Sequence, residues 1–257
     1  MIYGLYTAAG LLAALCIYFL LRRRPHALFV LAYEKAGAAP KHSSLKGEWI
    51  SPQVFGRHLN WLSKHGFTVI SLQTLSSARR LPAKPVVLAF LGGYQSFFTQ
   101  IFPMLKQANT PVAVFLPPAL ADAYNAWQDP HREPWQNLLT ENQIKEMQKS
   151  GLIDFGALCE NGEDLTLLPL QQAAGLLQES AAVMQIRLKL KPKGFAFWPA
   201  ARFTLKKASR LLPEGFGGLV LTPLEGPNKR TGKKLFLKVL FPARRPLAVR
   251  WALWKRR

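Results

Sequence analysis

Short, nearly continuous apolar runs alternate with helix-patterned stretches from residue 27 onward, and this order constrains the fold more than any other feature of the chain. Ala27 to Ala32, Phe67 to Leu72, Pro85 to Phe90, Pro111 to Leu116, Leu152 to Phe155, Phe195 to Trp198, Gly218 to Thr222 and Leu235 to Phe241 read as strands. Helix signals lie between them. Ser51 followed by Pro52 is an N-cap with proline at the first helical position, and Val54, Phe55, Leu59 and Leu62 share one face until Gly66. A short helix ends before Pro82, Gln95 to Gln107 and Thr140 to Ser150 fit further helices, and Leu165 to Leu190 contains a long amphipathic one. Such a β-then-α order predicts a parallel sheet with helices outside, either a barrel or a doubly wound sheet. A chain of 257 residues has room for one such domain plus an anchor, and it shows neither a long linker nor an internal repeat.

Residues 1–21 carry no charged side chain and, as a helix, would extend about 30 Å, the thickness of a bilayer's hydrocarbon core. No basic residue precedes this run, whereas Arg22, Arg23 and Arg24 follow it. That order is the reverse of a cleaved signal peptide and predicts a transmembrane anchor over residues 1–21, with the soluble domain over 22–257. Lys35, Lys41 and Lys46 add to the positive charge beyond the run, so the positive-inside tendency puts the domain on the cytoplasmic side of the inner membrane.

Charge is the outlying property: 34 Lys and Arg against 14 Asp and Glu, a formal net charge of +20. Arg187 to Arg257 holds nineteen of the basic residues and two acids, Glu214 and Glu225. The C-terminal end mixes Leu247, Val249, Trp251 and Trp254 with Arg244, Arg245, Arg250, Lys255, Arg256 and Arg257. That is the composition of an interfacial helix, and these six cations are the expected contact for an anionic lipid or glycan. A C-terminal helix packed on the domain is the competing reading. Single-stranded nucleic acid ranks below both, because no recognised nucleic-acid motif accompanies the tryptophans. Cys16 and Cys159 form no plausible disulfide. His42, His58, His65 and His131 show no metal-ligand spacing, and His58 and His65 are expected on the exposed side of the first helix.

Several phrases in this order resemble the polysaccharide deacetylases (NodB-homology domain, carbohydrate esterase family 4), especially the branch that processes poly-N-acetylglucosamine. Val30 to Glu34, VLAYE, is similar to the opening strand, where the family has a Tyr-His pair. Ser51 to Leu75 resembles the family's first helix and second strand. Lys84 to Leu116 resembles the segment built around Thr-Phe-Asp-Asp-Gly-Tyr. Leu152 to Leu168 resembles the segment built around Ser-His-Thr-x-x-His. The resemblance runs over most of residues 27–240 and implies a distorted (β/α) barrel with its site at the C-terminal ends of the strands.

Metal-assisted amide hydrolysis needs a cation that polarises the carbonyl, a carboxylate base beside the bound water and an acid for the leaving amine. In the family the paired aspartates and two histidines supply the base and the metal ligands. By the resemblance these positions are Leu91 and Gly92, and Leu158 and Gly162, none of which carries a proton-accepting or metal-binding side chain. The family's Pro-Tyr-Gly stands as Pro199-Ala200-Ala201, and no histidine follows His131 to serve as the acid. Tyr33, Glu34, Tyr94, Trp198 and Arg202 remain as candidate glycan-cleft residues, although Tyr94 and Trp198 would equally finish a barrel core.

The reading that follows is a membrane-anchored, catalytically inactive deacetylase-like protein. It is expected to bind glycan or a partner in cell-envelope polysaccharide metabolism, without a cofactor. An active N-deacetylase holding zinc or another divalent metal at a relocated site around Glu34, Cys159 and Glu160 is the first alternative. A membrane scaffold for glycosyltransferases is the second. The family's usual extracytoplasmic setting stands as the alternative to the cytoplasmic face.

Overall fold

The computed structural model describes residues 28–158, 165, 168–197, 219–225, 228, 235–240 and 242. The expected anchor over residues 1–21 and the cationic end from Arg244 onward lie outside these residues. No helix among the described residues is long and apolar enough to cross a membrane.

Among the described residues ten strands form in chain order: β1 (Phe29–Tyr33), β2 (Lys35–Ala36), β3 (Trp49–Ile50), β4 (Thr68–Val69), β5 (Pro85–Leu91), β6 (Val112–Leu116), β7 (Ile153–Leu158), β8 (Gly194–Ala196), β9 (Leu219–Glu225) and β10 (Leu235–Val239). They alternate with helices α1 (Pro52–Lys64), α2 (Leu72–Ser77), α3 (Phe102–Gln107), α4 (Glu141–Lys149) and α5 (Leu170–Ile186). The main sheet runs β1-β5-β6-β7-β8-β9-β10 with every pairing parallel, and β4 adds to the start of β5. A parallel bridge from Leu31 to Leu240 brings the end of the last strand onto the first. There Ala32 N–H donates to the Leu240 carbonyl at 2.8 Å, and Leu240 N–H donates to the Val30 carbonyl at 2.9 Å. The sheet is a nearly closed parallel barrel.

Two apolar shells follow from the two-residue period of the strands. Leu28, Val30 and Ala32 of the first strand region point inward with Val87, Ala89 and Leu91 of β5, Ala113 and Phe115 of β6, and Leu158 of β7. Phe29, Leu31 and Tyr33 point outward with Val86, Leu88 and Phe90, against Phe55 and Leu62 of α1 and Phe97, Phe102 and Leu105 around α3. Leu72 and Leu75 of α2 enter the inner shell and plug the N-terminal end of the barrel.

The helix starts are those the sequence announces. Ser51 caps α1, its hydroxyl accepting from Val54 N–H at 3.3 Å. Thr140 caps α4 in a capping box with Gln143. The run expected from Phe67 to Leu72 pairs only at Thr68 and Val69, because Ser71 ends it as the N-cap of α2. Gln95 to Gln107 is not one regular helix: a π-type turn over Phe97–Ile101 precedes α3. His58 also departs from expectation. It is half-buried and its Nδ1 lies 3.2 Å from the Tyr33 hydroxyl, so it faces the sheet.

Candidate functional site

Because the sheet is parallel, the C-terminal ends of β1, β5, β6 and β7 lie at one end of the barrel, with the loops that follow them. The floor of this end is apolar. Leu91 and Leu158 are buried in the inner shell with Phe115 and Ala196, so two of the three matched positions that are described are hydrocarbon in one cluster. Gly92 follows with φ +97°, a backbone conformation open to glycine. A Cβ at position 92 would collide with Cε2 of Tyr94. The Tyr94 ring, 1% exposed, thus fills the space that a side chain at position 92 would need. None of Leu91, Gly92 and Leu158 offers a donor to a cation, and these residues do not fit the metal that the family holds there. Gly162 lies outside the described residues, as do Trp198, Arg202, Cys159, Glu160 and Pro199-Ala200-Ala201.

A buried charge cluster covers this floor. Lys35 opens β2, separated from the end of β1 only by Glu34, and has no exposed side-chain surface. Its ammonium donates to Glu48 at 3.0 Å and to Glu133 at 3.3 Å, and lies 5.7 Å from the Trp49 ring centre and 5.6 Å from that of Tyr94. Glu133 also accepts from Trp49 Nε1 at 2.8 Å and from the Ser43 hydroxyl. Burial favours the neutral form of Glu133, but donation from Ser43 and Trp49 and the charge of Lys35 prevail and hold its carboxyl below the ordinary value. Four segments are joined through these contacts: β2, the loop between β2 and β3, the start of β3 at Trp49, and the long connection after β6.

Tyr94 sits at the edge of the cluster. Burial, reinforced by the Glu34 and Glu48 carboxylates, pushes its phenol well above the ordinary value. Its hydroxyl is the one buried side-chain polar atom among the described residues without a hydrogen-bond partner. Glu34 is also buried, at 4% exposure, and its charge acts on Tyr94. These two candidate cleft residues are brought together. Tyr33 is not with them: it is a core residue, stacked on Phe90 with centroids 5.1 Å apart and edge-on to Phe55 at 5.3 Å. Strand alternation sends Tyr33 outward with Phe29 and Leu31, and Glu34 is the next residue after it. Its buried phenol is pushed far above the ordinary range.

The connection after β6 folds back as a hairpin over residues 121–139. Leu139 N–H donates to the Gly93 carbonyl and Leu138 N–H to that of Ala123, both at 2.8 Å, and Gln95 N–H donates to Asn137 at 2.9 Å. Trp127 approaches the Tyr94 ring with centroids 6.4 Å apart. Lys35, Glu133 and this hairpin were not legible as site features, since nothing local in the sequence marks a lysine as buried or pairs it with a glutamate 98 residues away.

No protein-family model matches the chain. It is 30% identical over 111 residues to the poly-beta-1,6-N-acetyl-D-glucosamine N-deacetylase of Escherichia coli K12. That match covers 38% of this chain and 16% of the relative's length. Among solved structures, IcaB from Ammonifex degensii superposes with a TM-score of 0.70 at 24% identity, covering 89% of this chain and 97% of that one. The curated homologue and the structural neighbours are polysaccharide deacetylases. Two further structures share this fold. A de-N-acetylase from Aggregatibacter actinomycetemcomitans gives a TM-score of 0.69 at 20% identity, over 88% of this chain and 99% of that one. The Streptococcus pyogenes deacetylase PplD, solved with acetate, gives 0.68 at 20% identity, over 89% of this chain and 99% of that one. At these identities the structural likeness shows the fold alone.

Proposed function

We propose that this chain is a membrane-anchored, non-catalytic deacetylase-fold protein that binds a glycan in cell-envelope polysaccharide metabolism. One observation carries the reading. Hydrocarbon stands at Leu91 and Leu158, and the side-chain space of Gly92 is filled by the Tyr94 ring. Hydrolysis of an N-acetyl group at this end of the barrel would have neither a carboxylate base nor a metal-activated water at the family positions. Lys35 supplies the local positive charge instead, and both of its glutamate partners are committed to it.

Retention of the barrel and of polar groups at its C-terminal end supports binding without chemistry. The relatives named as acting on N-acetylated polysaccharide suggest the ligand class, an N-acetylhexosamine polymer. The cations from Arg244 to Arg257 would hold the domain, on the cytoplasmic face, against anionic lipid or glycan. A glycan-handling enzyme in the same membrane is the proposed protein partner.

The test is a paired assay on the full chain. Acetate release from poly-β-1,6-N-acetylglucosamine should not rise above background with zinc, cobalt or nickel present, while the same polymer is retained by the immobilised protein. Metal-dependent acetate release would overturn the non-catalytic reading in favour of a relocated site. Absence of both release and retention would overturn glycan binding.

A further inference from the structure

Four large hydrophobic side chains are conspicuously exposed among the described residues: Tyr124 at 45%, Trp135 at 44%, Leu170 at 44% and Ile186 at 71%. Scattered exposed apolar side chains carry no message. Tyr124 and Trp135 are not scattered. Eleven residues apart in sequence, they lie on opposite arms of the 121–139 hairpin, with ring centroids 4.6 Å apart and planes 24° from parallel.

The pair is held from beneath. Trp135 donates its indole N–H to the Gln128 carbonyl at 2.7 Å. Asn125, fully buried, accepts from Gln136 N–H and donates to the Gln128 side chain at 2.6 Å, and its own N–H donates to the Gln136 carbonyl at 3.1 Å. Tyr124 pairs with Asn137 across the hairpin. The base of the hairpin is clamped by Arg187 at the end of α5, which donates to the Ala119 and Ala121 carbonyls and to Glu141 and Asp122. Glu133, two residues before Trp135, is fixed by Lys35. A flat aromatic surface presented by so many backbone contacts is preorganised, so little ordering cost is left for binding.

Its location gives it a use. The hairpin rises from the C-terminal end of β6, rests on Gly93 and Gln95 beside Tyr94, and sends Trp127 toward that ring. The exposed pair therefore stands on the rim of the barrel end that carries the candidate site. The axial C–H bonds on one face of a pyranose ring are weakly positive and apolar, and they complement the negative face of an aromatic ring. Indole and phenol also keep a polar edge for the sugar's hydroxyls.

We infer that the Tyr124–Trp135 pair is a sugar-stacking platform for a pyranose of a β-linked N-acetylhexosamine polymer, at a subsite outside the barrel floor. This rests on the glycan-binding reading and names the residues that would hold the chain away from Tyr94 and Glu34. Stacking selects for the face of a pyranose and not for charge, so N-acetylated and de-N-acetylated oligomers should both engage it.

The experiment titrates a β-1,6-linked N-acetylglucosamine hexamer, and its fully de-N-acetylated form, into the detergent-solubilised full chain by calorimetry, with tryptophan emission recorded in parallel. Trp135→Ala and Tyr124→Ala should each weaken binding of both oligomers by about tenfold, an effect within the range of one aromatic contact. Trp135→Phe, which keeps a flat ring, should lose far less, and Ile186→Ala should bind as the parent does. Should Trp135→Ala lose its cooperative melting transition, Tyr124→Ala and Trp135→Phe decide the matter. Parent binding that the Tyr124 and Trp135 substitutions leave unchanged would overturn the platform and leave the glycan-binding reading standing. No binding of either oligomer by the parent would overturn both.

Discussion

Lys35 is the residue on which the candidate site turns, because its ammonium is buried and can be tolerated only while Glu48 and Glu133 face it. Lys35→Met removes the cation and leaves two carboxylates facing each other and Tyr94, so it should destabilise the fold by roughly 3–5 kcal/mol in urea unfolding. Lys35→Met combined with Glu133→Gln should cost less than the sum of the two single changes, since the double variant leaves one carboxylate, Glu48, without its cation where Lys35→Met leaves two. The pH dependence has a definite sign. Glu133 is held below its ordinary carboxyl value of 4.5, so below that pH the unfolded chain binds the proton first. Its contribution to stability should be complete above about pH 4.5 and fall as the pH drops through the folded value, and Glu133→Gln should flatten that limb of the stability curve. Lys35 also qualifies the topology argument. It was counted among the charges that follow the hydrophobic run, but a lysine buried within the domain offers no charge to a membrane surface.

At the scale of elements, most of the fold was legible because local chemistry fixes strand and helix starts here. Ser51 before Pro52, and Thr140 three residues before Gln143, are capping signals that act within a single turn. Thr140→Ala should lower stability by about 1 kcal/mol, read as a shift in the urea midpoint at unchanged slope. Features set by tertiary contact were not legible. The β2–β3 pair joins Lys35 and Ala36 to Trp49 and Ile50 across a loop, and no pattern in two residues announces it. The resemblance of Val30 to Glu34 to the family's opening strand puts Tyr33 at the cleft, yet the alternation Phe29, Leu31, Tyr33 assigns it to the helix-covered face. The Tyr124–Trp135 pair escaped notice because an aromatic in a polar loop carries no periodic signal.

For the whole molecule, the two ends of the barrel differ in the polar groups they bury. Among the described residues, the buried Asp154 lies near the N-terminal end, where it accepts from Gln73 N–H at 3.0 Å and Lys193 at 2.6 Å. Conservative loss of that carboxylate should affect stability and leave glycan binding intact. At the C-terminal end, the resemblance located Leu91, Gly92 and Leu158, and sequence alone could give their chemistry but not their surroundings. The Tyr94 ring against Gly92 makes reinstating a carboxylate a steric problem as well as a chemical one. Gly92→Asp should lower stability by roughly 1–3 kcal/mol, through its positive φ and the contact with Tyr94, and restore no acetate release. We propose that this barrel end holds a buried internal cation in place of a metal site. The most direct test is the zinc content of the purified full chain by elemental mass spectrometry after incubation with zinc and removal of loosely held ions. A ratio near zero in a cooperatively folding protein is the predicted result. One zinc per chain, lost on Glu34→Ala or Cys159→Ser, would contradict it and identify a rebuilt metal site.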